Sequence, residues 1–254
     1  MERWIGKTAL VTGASSGMGE SACITLVNHG LKVIGLARRF DRMEKLAIKL
    51  ERAKGRFYPM KCDVTKESEI LEAFKFAETL GGIDILINNA GLFIPNHIID
   101  GPTADFDQVL GVNLRAAAIC IRETAQSVKK RKSQGHIINI CSILGHNVEI
   151  AKGAPMNLYT PTKFALRAMS DVVRHELSVT KADIKLTNLS PGLVKTEMPG
   201  NSSYGEKIYE VMPYLLPKDV VDSMIFVLGT PPRVEITELT IQPFNGNLES
   251  NNSS

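Results

Sequence analysis

Thr8-Ala9-Leu10-Val11-Thr12-Gly13-Ala14-Ser15-Ser16-Gly17-Met18-Gly19 begins as an apolar, β-branched run and ends in a turn spaced by glycines. The first five residues read as a buried strand. Residues Glu20 to Asn28 carry a helical pattern that His29-Gly30 stops. A strand feeding a glycine-rich turn that opens a helix gathers backbone N–H groups at the positive helix end, which suits a pyrophosphate. Gly13, Gly17 and Gly19 allow a tight turn and close approach, spaced G-x-x-x-G-x-G rather than G-x-G-x-x-G. Ser15 and Ser16 add hydroxyls beside that group, and Met18 lies in the same turn.

Outward from this stretch the chain alternates. Lys32 to Leu36 reads as a second buried strand, and Asp41 to about Ala53 as a helix with Met43, Leu46, Ala47 and Leu50 on one face. Phe57 to Cys62 is a third strand, which Pro59 places nearer an edge of a sheet. A helix over Lys66 to Leu80, a strand over Ile83 to Ile87, and a long helix from about Thr103 to Lys132 with an interruption near Gly111 follow. Strand His136 to Cys141, helix Asn157 to Val179, strand Asp183 to Leu189, helix Pro217 to Leu228 and strand Ile236 to Ile241 complete the pattern. Apolar strands alternating with helices predict an α/β fold: one doubly wound, Rossmann-type domain over residues 1–244, with a largely parallel seven-stranded sheet covered on both faces. Residues 245–254 are Asn- and Ser-rich and read as a disordered polar tail.

Bulk properties exclude several functions. The 254 residues are 44% hydrophobic and 22% charged, as expected for a chain with a substantial core. A net charge of +3 argues for neither nucleic acid nor an anionic membrane as partner. The four cysteines are scattered and the five histidines lack ligand-like spacing, so reduced thiols and no metal are expected. With no apolar signal core after Met1 and no run long enough to span a bilayer, the expected location is cytoplasmic.

The end of the second strand bears on the nucleotide. A carboxylate there would bind ribose hydroxyls, whereas Leu36-Ala37-Arg38-Arg39 offers two guanidinium groups suited to a 2′-phosphate, favouring NADP(H) over NAD. Asp63, after the third strand, either takes the adenine amino group or caps a nearby helix; Val64 lies beside it. Asn89, Ala90 and Gly91 leave the fourth strand at the same sheet edge, where small residues admit a cofactor. Tyr159 and Lys163 lie one helical turn apart; an ammonium near a phenol favours phenolate and yields a usable acid or base. Pro161 between them is tolerated only in a first turn, so the helix should start near Asn157 or Leu158, and its positive end should assist Lys163.

Thr12-Gly13-x-x-x-Gly17-x-Gly19, Asn88-Asn89-Ala90-Gly91, Asn113, Ser142, Tyr159-x-x-x-Lys163 and Pro191-Gly192 stand in the order found in the short-chain dehydrogenases/reductases, which the chain resembles from about Gly6 to Ile241. The start Met1-Glu2-Arg3-Trp4 and Cys141-Ser142-x-x-Gly145-His146 resemble a cytosolic subgroup that contains insect NADP-dependent farnesol dehydrogenases and a vertebrate 17-beta-hydroxysteroid/3-ketosteroid reductase. The resemblance implies that Tyr159 is the proton donor or acceptor, Lys163 lowers its pKa and binds the nicotinamide ribose, Ser142 steadies the substrate oxygen and Asn113 holds a relay water. It further implies that Pro191, Gly192 and Val194 shape the nicotinamide site and that Thr196 meets the carboxamide. Sixteen residues separate Ser142 from Tyr159, a few more than the family's usual spacing, which predicts a longer loop beside the substrate.

Residues 195–216 correspond to the family's substrate lobe, with Met198 and Tyr204 as candidate contacts; Ile94, Leu144, His146 and Leu193 are candidates from other segments. Their mostly apolar character suggests a small lipophilic alcohol or carbonyl substrate, a farnesol-like isoprenoid or a steroid. A broad xenobiotic carbonyl reductase, or an NADP-binding sensor or scaffold without turnover, are the alternatives. The helices around 103–132 and 157–179 have Ala116, Ala117, Ala165 and Ala168 as expected outward positions, and the family resemblance implies that they pair in a homodimer or homotetramer.

Overall fold

The computed structural model describes residues 1–148, 155–198 and 205–244. Tyr204, the expected tail 245–254, and parts of the long loop and the lobe lie outside the described residues. Seven parallel strands, β1 (Thr8–Thr12), β2 (Lys32–Ala37), β3 (Arg56–Lys61), β4 (Ile85–Asn88), β5 (Gly135–Ile140), β6 (Ile184–Pro191) and β7 (Glu238–Ile241), lie in the order β3-β2-β1-β4-β5-β6-β7. Pro59 is indeed on an outer strand, opposite Gly35 of β2. The chain runs outward from β1 to β3 and then returns to place β4 on the other side of β1. That reversal opens a crevice at the carboxyl ends of β1 and β4, where ligands bind in such sheets.

The strands alternate between two cores, as a period of two requires. Ala9 and Val11 of β1, with Val33, Ile85, Ile87, Ile138 and Leu189, pack on the face covered by α1 (Gly17–Asn28), α2 (Phe40–Lys49) and, farther along the chain, the helix Pro217–Gly229. Leu10, Ile34, Leu86, Ile137 and Leu186 face the opposite side, under α3 (Glu67–Glu78) and the long helices that follow β4 and β5. The first of these is α4 (Thr103–Leu110), which passes through a π-helical turn, Gly111–Arg115, into α5 (Ala116–Arg131). The interruption expected near Gly111 is therefore a widened turn within a continuous helix. α6 (Tyr159–Val179) follows β5, the short α7 (Ile208–Val211) follows β6, and α8 (Pro217–Gly229) leads to β7.

Two expectations need correction here. Ala116 and Ala117 are buried, 3% and 7% exposed, because they share the inward face of α5 with Cys120, Ile121 and Thr124. They are not outward positions for a second copy; Ala168 is exposed and Ala165 half-buried. The large outward apolar side chains of these helices are Leu110, Phe164, Val172 and, at the end of α6, Val179. The helix after the long loop starts at Tyr159 itself, since Asn157 has a left-handed φ of 47° that no helix accommodates.

A buried polar row crosses the sheet. Asn88, Asn139, Asn188 and Glu238 stand opposite one another on β4, β5, β6 and β7. Asn88 Nδ2 donates to Asn139 Oδ1 at 2.9 Å, and Asn139 Nδ2 to Ser170 Oγ at 2.8 Å. Ser170 Oγ lies 2.8 Å from Asn188 Oδ1, and Asn188 Nδ2 donates to Glu238 Oε2 at 3.3 Å.

His136 on β5 is fully buried, with Nε2 3.0 Å from Thr187 Oγ1. Burial, helped by the charges of Lys185 and Arg3, pushes its pKa down to about 3. An unfolded chain protonates this ring below about pH 6.5, whereas the folded chain accepts the proton only near pH 3. Unfolding thus takes up a proton in that window, and stability falls as pH drops through it. Denaturant titrations from pH 7 to pH 4 should show His136→Gln losing less stability with acid than the wild type, by up to about 1.4 kcal/mol per pH unit. Equal acid slopes in the two proteins would refute this.

Candidate active site

The turn after β1 is held by its own neighbours. Gly13 and Gly17 have φ of 70° and 58°, which L side chains rarely adopt. Thr12 Oγ1 accepts the backbone N–H groups of Asn89 and Ala90, each at 3.0 Å. Asn89 Nδ2 returns a bond to Thr12 O at 2.9 Å and to Gly13 O at 3.3 Å. The Asn89 side chain therefore stitches β4 to the turn, and its contribution to a ligand is the position of its backbone. A Cβ on Gly19 would lie 2.2 Å from Gly13 O, so only glycine lets the helix start this close to the turn.

These segments enclose a groove of about 490 Å³. Gly13, Ser15, Ser16, Gly17 and Met18 form one wall, while Arg38, Arg39, Asp63 and Val64 close one end. Asn89, Ala90 and Gly91 line the floor, with Leu92 and Phe93 beyond, and Thr196 and Met198 reach over from the far side. Every cofactor-contact candidate from the first four strands lines this groove except Gly19, which shapes it from behind. Arg39 Nε and Nη2 donate to Ser15 Oγ at 3.2 Å and Ser16 Oγ at 2.6 Å, holding one guanidinium beside the turn. Asp63 is not a helix cap: its Oδ1 takes the N–H and hydroxyl of Thr65 at 3.0 and 2.8 Å, and α3 starts later. Partial burial raises the Asp63 pKa, but the Thr65 bonds and the charges of Arg38 and Lys66 outweigh it and hold the carboxyl below the usual range.

Ser142, Tyr159, Lys163 and Asn113 come together where β5 ends. Ser142 follows β5, and its Oγ accepts Leu144 N–H at 3.1 Å, fixing the turn that presents it. Its hydroxyl also hydrogen-bonds the Tyr159 phenol. The Tyr159 ring meets Phe93 edge-on, centroids 5.7 Å apart, which joins this cluster to the groove. Lys163 is buried, with Nζ 5.5 Å from the Tyr159 ring centroid and donating to Ile140 O at 2.8 Å. Asn113, in the π-turn, receives Leu92 N–H at 2.7 Å and donates to Leu92 O at 2.9 Å and Thr162 Oγ1 at 3.1 Å. Its side chain is committed to the Leu92 backbone and to Thr162 beside the groove.

The electrostatics depart from expectation. Burial pushes the Tyr159 phenol up to about 12, against which the Ser142 hydrogen bond acts in the lowering direction. Burial likewise lowers the Lys163 pKa.

Other candidates lie elsewhere. His146 Nε2 is 3.0 Å from Ser190 Oγ and 3.2 Å from Glu238 Oε1, so the ring is drawn back toward β6 and β7 instead of standing among the groove-lining residues. Gly192 N–H donates to Ile241 O at 2.8 Å, and a Cβ there would lie 3.0 Å from Pro243 Cδ; Pro191 ends β6 beside it. Val194 is 7% exposed and belongs to the core, correcting its assignment to the groove: its bridge to Leu215 buries it. Ile94, Leu144 and Leu193 are half-buried outside the groove wall. Sequence reasoning passed over Glu197, which has no local signature.

A phosphate cradle at the switch point of a doubly wound parallel sheet, opening toward a Ser–Tyr pair over a buried Lys, defines a dinucleotide-dependent oxidoreductase. Residues 7–207 match the family model for short chain dehydrogenases, and the chain belongs to that family. It is 40% identical over 252 residues to dehydrogenase/reductase SDR family member 11 of Gallus gallus, covering 96% of this chain and 98% of that one. It is 41% identical over 247 residues to a farnesol dehydrogenase of Aedes aegypti, with the same coverage of each. Among solved structures, a short chain dehydrogenase from Burkholderia cenocepacia in complex with NADP superposes with a TM-score of 0.82 at 28% identity, over 94% of this chain and 98% of that one.

Proposed function

We propose that this protein is an NADP(H)-dependent oxidoreductase acting on an alcohol or carbonyl of a lipophilic substrate, a farnesol-like isoprenoid or a steroid. The observation that carries the chemistry is the gathering of Ser142, Tyr159 and a buried Lys163 at the end of β5, with Lys163 Nζ 5.5 Å from the centre of the Tyr159 ring. The groove fits a dinucleotide: the turn at its wall keeps its shape only with glycine at 19, where a Cβ would strike Gly13 O, and two arginines and two serines gather where a 2′-phosphate would lie. When bound, the nicotinamide supplies or accepts the hydride. In the reductive direction Tyr159 donates its proton to the substrate oxygen while Ser142 stabilises the charge developing there. Asn113 holds the Leu92 backbone, and with it the groove wall that carries Phe93. The farnesol dehydrogenase relative supports the isoprenoid reading, and Leu92, Phe93 and Met198 give the wall an apolar surface.

Four buried free cysteines agree with a cytoplasmic setting. We assign a homodimer or homotetramer to the outward apolar side chains Leu110, Phe164 and Val172 of α4 and α6. Among the described residues, no helix is long and apolar enough to cross a membrane.

The test is nicotinamide absorbance with the purified protein, using farnesal, a 17-ketosteroid and an aromatic dicarbonyl for reduction, and farnesol for oxidation. Turnover should prefer NADP(H) and be most efficient with an isoprenoid or steroid. Highest efficiency on the dicarbonyl would favour the xenobiotic reductase instead, and tight NADPH binding without any turnover would favour a non-catalytic sensor.

A further inference from the structure

Glu197 stands at the phosphate end of the groove with its carboxylate divided between two cations. Oε2 lies 2.6 Å from Arg39 Nη1, and Oε1 lies 2.6 Å from Arg42 Nη1. Arg39 is held independently of Glu197, because its Nε and Nη2 are on Ser15 and Ser16. Only the Nη1 corner of that guanidinium is taken by the carboxylate. Glu197 belongs to the arm that also brings Thr196 and Met198 over the groove. That arm is fixed by Tyr209, whose hydroxyl receives Thr196 N–H at 3.0 Å and donates to Thr196 O at 2.9 Å.

We propose that Glu197 is a specificity-setting counter-ion that competes with the cofactor's 2′-phosphate for Arg39 and so weakens the binding of phosphorylated dinucleotides selectively. This rests on the NADP reading above. Glu197 and Arg39 are 55% and 44% exposed, so water and salt screen their attraction and a dianionic phosphate displaces the carboxylate. Arg42, bonded to the other oxygen, retains Glu197 when Arg39 is given up. Phosphate binding is thereby coupled to the arm carrying Thr196 and Met198, while a dinucleotide without the phosphate leaves both contacts in place.

The experiment measures NADPH, NADH and 2′,5′-ADP affinities by fluorescence titration for wild type, Glu197→Gln, Arg39→Ala and the double variant, with thermal melts to confirm folding. Glu197→Gln should tighten NADPH and 2′,5′-ADP by about fivefold, the factor matching the upper range of an exposed ion pair, and change NADH by less than about twofold. The gain should vanish in the Arg39→Ala background and shrink in about 1 M salt, where the screening length is ~3 Å. Equal tightening of NADPH and NADH, or weakening of either by Glu197→Gln, overturns the proposal. If the wild type prefers NADPH but the selective gain is missing, only the Glu197 assignment falls. If the wild type binds NADH as tightly as NADPH and ignores 2′,5′-ADP, the NADP reading falls with it.

Discussion

Tyr159→Phe should lower turnover by about 10²- to 10⁴-fold, the range for loss of a positioned proton donor, while NADPH affinity stays within about twofold. The substitution removes one oxygen and leaves the ring that packs on Phe93 and under the Lys163 ammonium. It also removes the phenol oxygen on which Ser142 acts, so both proposed substrate-oxygen contacts are affected by one change. The pKa direction makes the test sharper. The raised direction favours the form that donates a proton, which suits reduction more than oxidation. Steady-state reduction of farnesal, with NADPH titrated separately, measures the two effects apart. Turnover in Tyr159→Phe equal to wild type would remove Tyr159 from the proton-transfer role.

Gly19→Ala should abolish NADPH binding and cost about 1–3 kcal/mol of stability, the usual range for overpacking a tight contact. The new methyl would meet Gly13 O at 2.2 Å and Asn89 Nδ2 at 2.6 Å. The first is a backbone atom that cannot rotate away, so the turn itself must move, and the Thr12–Asn89–Ala90 bonds move with it. Unlike Gly13 and Gly17, Gly19 does not have a positive φ. Its requirement is space, not torsion. Denaturant midpoints and NADPH fluorescence check the two parts of the prediction; wild-type affinity in this variant would mean that the turn is not the phosphate cradle.

What the sequence made legible was local. A run such as Thr8–Thr12 with a glycine turn and a helix after it can adopt few structures, and Pro59 marked an outer strand because proline lacks the ladder N–H. Gly111 marked a weak point in a long helix, although nothing local distinguishes a break from a π-turn. Motif order placed Ser142, Tyr159 and Lys163 correctly at one strand end. The failures concern direction and pairing over long range. Ala116 and Ala117 face inward because the helix phase is set by packing against β4 and β5. His146 is turned by Glu238, distant in the sequence, and Arg39 meets Glu197 158 positions later. Lys163 stands four residues from Tyr159, yet its ammonium is anchored on Ile140 O, a partner that spacing alone does not reveal.

The row Asn88–Asn139–Asn188–Glu238 has a consequence for how the sheet assembles. Apolar strands buried on both faces slide past one another with little loss, because Ile, Leu and Val are nearly interchangeable against their neighbours. An amide is not. Shifting β5 by one residue would swing Asn139 to the opposite core, away from Asn88 and Ser170, and leave buried donors and acceptors without partners, at about 1–3 kcal/mol for each group. The four polar residues thus act as a key that only one alignment of the strands can turn, and they check the order of β4 to β7 at the level where the catalytic end of the sheet must be in register.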